Sequence, residues 1–284
     1  MRLLQAALRA SLRKRGIGVF KINSHEYLNF ENLLYTLLEH VGVVNYLHLG
    51  AHDGKSFSDP LYHFVRQNPT KTSGVMVEPQ ENIFRTLEKN MGDLPNIRLV
   101  RAAIHPTRKQ VSIFSLKNES ANQERFSGQS SVFRSRLTSG RWPASQISED
   151  QVTAYSITEI LRFMPDKQSK LDVLCIDTEG LDFAILMSID FKQLCPYLIR
   201  FEHNLCVEPY SAKLLEDYKN LVSVLNSLGY QVFTEFNDAT AVHESMIPLL
   251  SSTGRFGADR PDIRYGNQVN FGSNLTAEMR AESE

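Results

Sequence analysis

The sequence predicts a doubly wound α/β fold, a mostly parallel sheet with helices on both faces, on three observations. Short apolar runs alternate with stretches of helical periodicity from Val43 onward, the pattern of a parallel sheet with right-handed crossovers. Several of those runs end in glycine or a carboxylate, as at Gly50, Glu78 and Asp177. Near the end, two short strands meet at Asn237-Asp238, a pair suited to a hairpin turn, so at least one strand runs antiparallel.

Leu28, Phe30, Leu33, Leu34, Leu37 and Leu38 recur at helical spacing and predict a helix from Glu26 to His40. Val43 to Leu49 is rich in strand formers and stops at a glycine, which predicts a buried strand and a turn. The unit then repeats: a strand at Gly74 to Val77, a helix at Asn82 to Met91 and a strand at Ile97 to Val100. Val111 to Phe114 predicts an extra strand, expected to pair with its own neighbour across the turn at Pro106 to Lys109.

Lys117 to Ser148 is a long polar stretch containing Ser127, Ser130, Ser131, Ser135 and Ser139, basic Arg125, Arg134, Arg136 and Arg141, and apolar Phe126, Phe133 and Trp142. A segment this long inside a compact domain is a functional cover or is disordered, and its aromatic residues favour a substrate lid. Beyond it come strands at Val152 to Tyr155, Leu171 to Ile176 and Tyr197 to Phe201. Helices are expected at Ile157 to Phe163, Leu181 to Met187 and Ala212 to Leu228, and the closing strands at Gln231 to Phe236 and Thr240 to Val242. The chain divides into an N-terminal helical segment over 1–42, one catalytic-size domain over 43–244 with the insertion at about 117–148, and a polar tail over 245–284.

Four strand ends carry residues with chemistry. Leu47-His48-Leu49-Gly50-Ala51-His52-Asp53-Gly54 closes the first buried strand, and ligands of open α/β sheets bind beyond such carboxyl ends. Gly50 lets the backbone approach a ligand, and Asp53 suits a cationic or hydroxyl-bearing one. His52 stands where a dinucleotide fingerprint needs its second glycine, which speaks against nicotinamide binding. The plain alternative is an ordinary glycine turn. Glu78 closes the second strand, placed to accept hydrogen bonds from the ribose hydroxyls of an adenosine ligand, or else to cap the helix that Pro79 begins. Asp177 and Glu179 flank Thr178 beyond the strongest strand, where two carboxylates without partners would be costly in a core. Arg200-Phe201-Glu202-His203-Asn204 ends the fourth, and His203 is the most plausible general base, although a lone histidine there is also a common structural residue.

Taken in order, these motifs resemble the FkbM-type methyltransferases, a branch of the Rossmann-like enzymes that use S-adenosylmethionine (SAM). The resemblance runs from about Val43 to Glu244 and includes Leu49 to Gly54, Val77-Glu78-Pro79, Arg101-Ala102-Ala103-Ile104, Ser130-Ser131, Ile176 to Gly180 and Phe201-Glu202-His203. His52 and Thr178 stand where the family usually has asparagine and valine. The resemblance implies a seven-stranded sheet with an antiparallel last strand, SAM as methyl donor, and O-methylation of a sugar, glycan or secondary-metabolite hydroxyl. On this view Gly50, Asp53 and Gly54 hold the donor's amino-acid end, Glu78 its ribose, and Ala102 and Ala103 its adenine side, with His52 also among the donor-binding residues. Asp177, Glu179 and His203 position and deprotonate the acceptor. The acidic pair could instead hold a divalent metal, which is not the favoured reading. N-methylation of a small molecule, and a binding module that kept the fold without the chemistry, stay open as alternatives.

The resemblance implies a small-molecule or glycan acceptor, and composition argues against other classes of partner. A formal net charge of -1 over 284 residues argues against nucleic acid, whose phosphates demand a basic excess. Three scattered cysteines, Cys175, Cys195 and Cys206, form neither a disulfide framework nor a zinc motif. With no signal-peptide pattern and no apolar run near the roughly 20 residues of a membrane span, the expected compartment is the cytoplasm. The first fifteen residues are the exception: Arg2, Arg9, Arg13, Lys14 and Arg15 accompany Leu3, Leu4, Leu8 and Leu12 with no acid. Such a basic amphipathic helix packs on the domain, touches a membrane surface or serves as a targeting segment.

Overall fold

The computed structural model describes residues 29–56, 59–117, 130–138, 142–166, 170–203, 211–235 and 237–252. The basic segment at 1–15, much of the serine-rich stretch and the tail from 253 onward lie outside the described residues.

The first helix, α1 (Phe30–Val41), starts on Asn29, whose side chain accepts from the Asn32 N–H and so satisfies one donor of the first turn. It is followed by β1 (Val44–Leu49), α2 (Tyr62–Gln67), β2 (Thr72–Val77), α3 (Glu81–Met91) and β3 (Ile97–Val100). Four strands and a short helix come next: β4 (Ala103–Ile104), β5 (Gln110–Leu116), β6 (Ser130–Ser131), α4 (Arg134–Thr138) and β7 (Ile147–Tyr155). The chain continues through α5 (Ile157–Ile160), β8 (Val173–Ile176), α6 (Asp182–Met187), β9 (Leu198–Glu202) and α7 (Ala212–Ser227). It closes with β10 (Tyr230–Glu235), β11 (Asp238–His243) and α8 (Ile247–Ser252).

Seven strands form the main sheet in the order β10-β11-β9-β8-β1-β2-β3. The pairs β3/β2, β2/β1, β1/β8 and β8/β9 are parallel, and the last strand, β11, is antiparallel to both β9 and β10. Strand order reverses between β1 and β8, which opens a crevice at their carboxyl ends.

Strand alternation sorts the core into two layers. Leu47, Leu49, Val75, Leu174, Ile176, Ile199 and Phe201 pack with α5, α6 and α7 on one face. Tyr46, Met76, Val173, Cys175 and Leu198 pack with α1, α2, α3 and α8 on the other. Fully burying one such aliphatic side chain contributes about 1.5–3 kcal/mol, so these two layers fix which way every residue at a strand's end points. Met246 and Leu250, just inside the segment that reads as a polar tail, are buried in the second layer.

The extra strand departs from its expected pairing. Instead of folding back across the turn after Ile104, β5 pairs antiparallel with β7 from Gln110↔Thr153 to Leu116↔Ile147. Nine-residue β7 offers a far longer ladder than two-residue β4, which itself pairs parallel with the end of β7 at Ala154 and Tyr155. The order β4-β7-β5-β6 makes a second, four-stranded sheet beside the carboxyl end of the main one. Helix α2 has no counterpart in the sequence reading: it is six residues long, too short to show a period, and starts where Asp59 accepts from the Leu61 and Tyr62 N–H groups.

Candidate active site

A cavity of about 620 Å³ lies over the crevice between β1 and β8, walled by the turns after β1, β2 and β8, by β9 and by the second sheet. After β1 the chain turns at Gly50, with φ +78°, and the Gly50 and Ala51 N–H groups both donate to the Val77 carbonyl at 2.9 Å. A Cβ at Gly50 would stand 1.7 Å from the Asp177 carbonyl oxygen, so the turns after β1 and β8 touch through bare backbone. The Asp177 N–H completes the junction by donating to the Leu49 carbonyl at 2.8 Å.

Glu78 is buried at the end of β2 and faces the cavity. One of its oxygens accepts from the His52 N–H (3.1 Å) and the other from the Gln80 N–H (2.9 Å). Each carboxylate oxygen keeps further acceptor capacity for a ligand hydroxyl. Burial raises its pKa to about 7, against the pull of those backbone donors. His52, with φ 49°, lines the same wall.

The remaining residues of the Leu47 to Gly54 segment have other work. Asp53 accepts from the Lys55 and Ser56 N–H groups and the Ser56 hydroxyl, closing a turn outside the cavity lining. Burial pushes its pKa up, but the bonds from Ser56 and Lys55 together with His52 hold the carboxyl below its usual range. Gly54 packs beneath α3, where a Cβ would stand 2.6 Å from Leu87 and 2.9 Å from Met91. Of the alanine pair, Ala103 lines the cavity with Ile104 and Ile113, whereas Ala102 is buried in the first core layer.

Opposite Glu78 stands an acidic wall. Asp177 opens into the cavity; burial among protein groups, then the negative charges of Glu202 and Asp182, push its pKa well up. Glu179, in a left-handed conformation (φ 54°), is raised to about 7 by burial and by Asp177, with Arg136 pulling the other way. Asp177, Glu179 and Glu202 each bring an oxygen within 4.8 Å of the others, a spacing compatible with a divalent cation. Asp182 fixes this turn from below by accepting from the Thr178 N–H and hydroxyl and from the Glu202 N–H. From above, the buried Ser131 hydroxyl donates to the Glu179 carbonyl (2.8 Å), and the Arg136 guanidinium lies 3.5 Å from the Glu179 carboxylate. The described part of the serine-rich insertion thus rests on the acidic turn.

His203 does not join this group. It follows Phe201 onto the α7 side of the sheet, buried with its ring 5.4 Å from that of Tyr218, and its N–H donates to the Asn237 carbonyl. The residues that β9 does turn to the cavity are Arg200 and Glu202. Arg200 is held by Glu235 (2.8 Å) and Asp238 (2.6 Å). Sequence reasoning named both at this strand end but gave neither a role, although the period-two pattern of Leu198, Arg200 and Glu202 against Ile199, Phe201 and His203 identifies them.

Similarity to solved structures is distant. A fibrillarin/Nop5p complex is 10% identical with a TM-score of 0.38, over 78% of this chain and 90% of that one. Fibrillarin of Aeropyrum pernix with bound SAM is 11% identical with a TM-score of 0.35, over 70% of this chain and 65% of that one. The plantazolicin methyltransferase BpumL with S-adenosylhomocysteine is 10% identical with a TM-score of 0.36, over 89% and 77%. At such scores none of them bears on function. None of the curated proteins compared matches the chain. The family model for the methyltransferase FkbM domain, in contrast, matches residues 48–232, from the last residues of β1 through every wall of the cavity but the final hairpin, and the chain therefore belongs to the FkbM methyltransferase family.

Proposed function

We propose that the protein transfers a methyl group from SAM to a hydroxyl of a small molecule or glycan. The observation that carries this reading is the pairing, across one cavity, of a buried carboxylate with spare acceptor capacity, Glu78, and an acidic turn, Asp177 to Gly180, joined through Gly50. Glu78 receives the donor's ribose hydroxyls, Gly50 and His52 lie along the donor, and Ala103 with Ile104 and Ile113 covers its adenine. SAM, when bound, supplies an electrophilic methyl on a sulfonium.

The chain's own contribution is orientation and proton removal. Holding two reactants in line contributes about 7–11 kcal/mol of barrier lowering, and the rigid junction at Gly50 serves that purpose. Proton removal from a hydroxyl adds roughly 10²- to 10⁴-fold. A carboxylate with a pKa of about 7, such as Glu179, is matched to accept a proton near neutrality. Asp177 and Glu202, both facing the cavity, orient the acceptor.

Calorimetry with SAM and S-adenosylhomocysteine tests the donor half: Glu78→Gln should weaken binding by about tenfold to a hundredfold, the worth of hydrogen bonds to a charged acceptor. No binding of either compound at millimolar concentration would leave a binding module as the better reading. Once an acceptor is in hand, turnover that survives EDTA indicates that the three carboxylates act by themselves, and turnover lost to EDTA indicates that they hold a cation.

A further inference from the structure

Asp53 and Gly54 lie outside the cavity, so the charged amino-acid end of the donor needs other partners. Beneath the Gly50 turn the cavity wall contains a buried histidine and aspartate, His48 and Asp59, with side chains 4% and 5% exposed. His48 Nδ1 is 3.7 Å from Asp59 Oδ2, and Nδ1 has no hydrogen-bond partner. The aspartate is immobilised, because its other oxygen accepts from the Leu61 and Tyr62 N–H groups at 2.9 and 2.8 Å where α2 begins. The start of helix α2 therefore presents a fixed carboxylate to β1.

A carboxylate 3.7 Å from Nδ1 favours the tautomer with its proton on that nitrogen, which leaves the lone pair on Nε2 for a donor group. Burial lowers the pKa of His48, which keeps the ring neutral and Nε2 an acceptor at physiological pH. We propose that the His48–Asp59 pair receives the α-ammonium of the methyl donor's amino-acid end. This rests on the donor reading above and assigns a part of the ligand that reading leaves unheld. An ammonium fits better than the α-carboxylate, since Asp59, beside His48 in the cavity lining, would repel an anion. The reach also fits. His48 pairs with Met76, two residues before Glu78, and one to two strand spacings, about 5–10 Å, is spanned by the sulfur and three-carbon chain that follow the ribose.

Calorimetry with three probes tests the assignment. S-adenosylhomocysteine carries both charged groups, its decarboxylated analogue only the ammonium, and 5′-methylthioadenosine neither. For His48→Asn and Asp59→Asn, affinity for the first two should fall by about tenfold or more while that for 5′-methylthioadenosine stays at the wild-type value. Asp59→Asn keeps an oxygen to cap α2, and binding of 5′-methylthioadenosine itself reports an intact pocket. Unchanged affinity for S-adenosylhomocysteine would overturn the inference and leave the donor reading standing. Equal losses for all three probes would make the pair structural, and a loss confined to S-adenosylhomocysteine would shift recognition to the carboxylate. Failure of the wild-type protein to bind any probe would remove the donor reading, and this inference with it.

Discussion

At the scale of single residues, the site depends on side chains that are absent as much as on those present. Gly50→Ala would have to find room for a methyl 1.7 Å from the Asp177 carbonyl in a backbone conformation with φ +78°. Overpacking and left-handed strain each cost about 1–3 kcal/mol. A loss of about 3 kcal/mol or more in urea denaturation, with donor binding abolished, is expected; a well-folded variant that binds S-adenosylhomocysteine normally would contradict the junction described here. Glu78 makes a second residue-scale prediction. Its pKa of about 7 belongs to the unliganded protein, and hydroxyl donors favour the ionised form, so S-adenosylhomocysteine should bind more tightly as pH rises from 6 to 8. The Glu78→Gln variant should lose that dependence.

At the scale of elements, β9 shows how far a sequence can be taken. Its existence and the polarity of its end are legible, yet the choice among Arg200, Glu202 and His203 turns on which face is which. A histidine draws attention by its chemistry, but parity assigns it to the side of Phe201 and α7. Glu202→Gln is therefore expected to lower turnover at least tenfold once an acceptor is known, a small share of what positioned proton transfer and orientation supply. His203→Ala should leave turnover nearly unchanged and cost about 1–2 kcal/mol of stability from lost packing. The reverse pattern would restore His203 as the base. The other strand ends were legible because each pairs a strong apolar run with one polar residue, as Val77 does with Glu78. Asp53 is harder to read, because a carboxylate between glycines suits a turn as well as a ligand, and its bonds to Ser56 show that here it closes a turn. His48 and Asp59 were hidden for the opposite reason, eleven residues apart and joined only by the fold. The second sheet was equally out of reach, since β5 and β7 are brought together across a stretch with no period of its own.

At the scale of the whole molecule, the carboxyl ends of the sheet concentrate negative charge that the fold must tolerate. Glu78 and Glu179 both have folded-state pKa values of about 7, above the 4.5 of a free glutamate. A carboxyl raised in this way favours the fold while it is protonated; its contribution is complete below about pH 4.5 and is lost as pH rises through about 7. The unliganded protein should therefore lose thermal stability from pH 5.5 to pH 8, less so in Glu78→Gln, and a midpoint that rises over that interval would refute the charge balance. Among the described residues, the insertion between β5 and β7 touches the acidic turn of the main domain through the Ser131 hydroxyl and Arg136. On the reading of this insertion as a substrate lid, acceptor choice belongs to a segment inserted beside the sheet and the donor site to the sheet itself. Exchanging the insertion with that of another family member should transfer acceptor preference and leave affinity for the donor where it was.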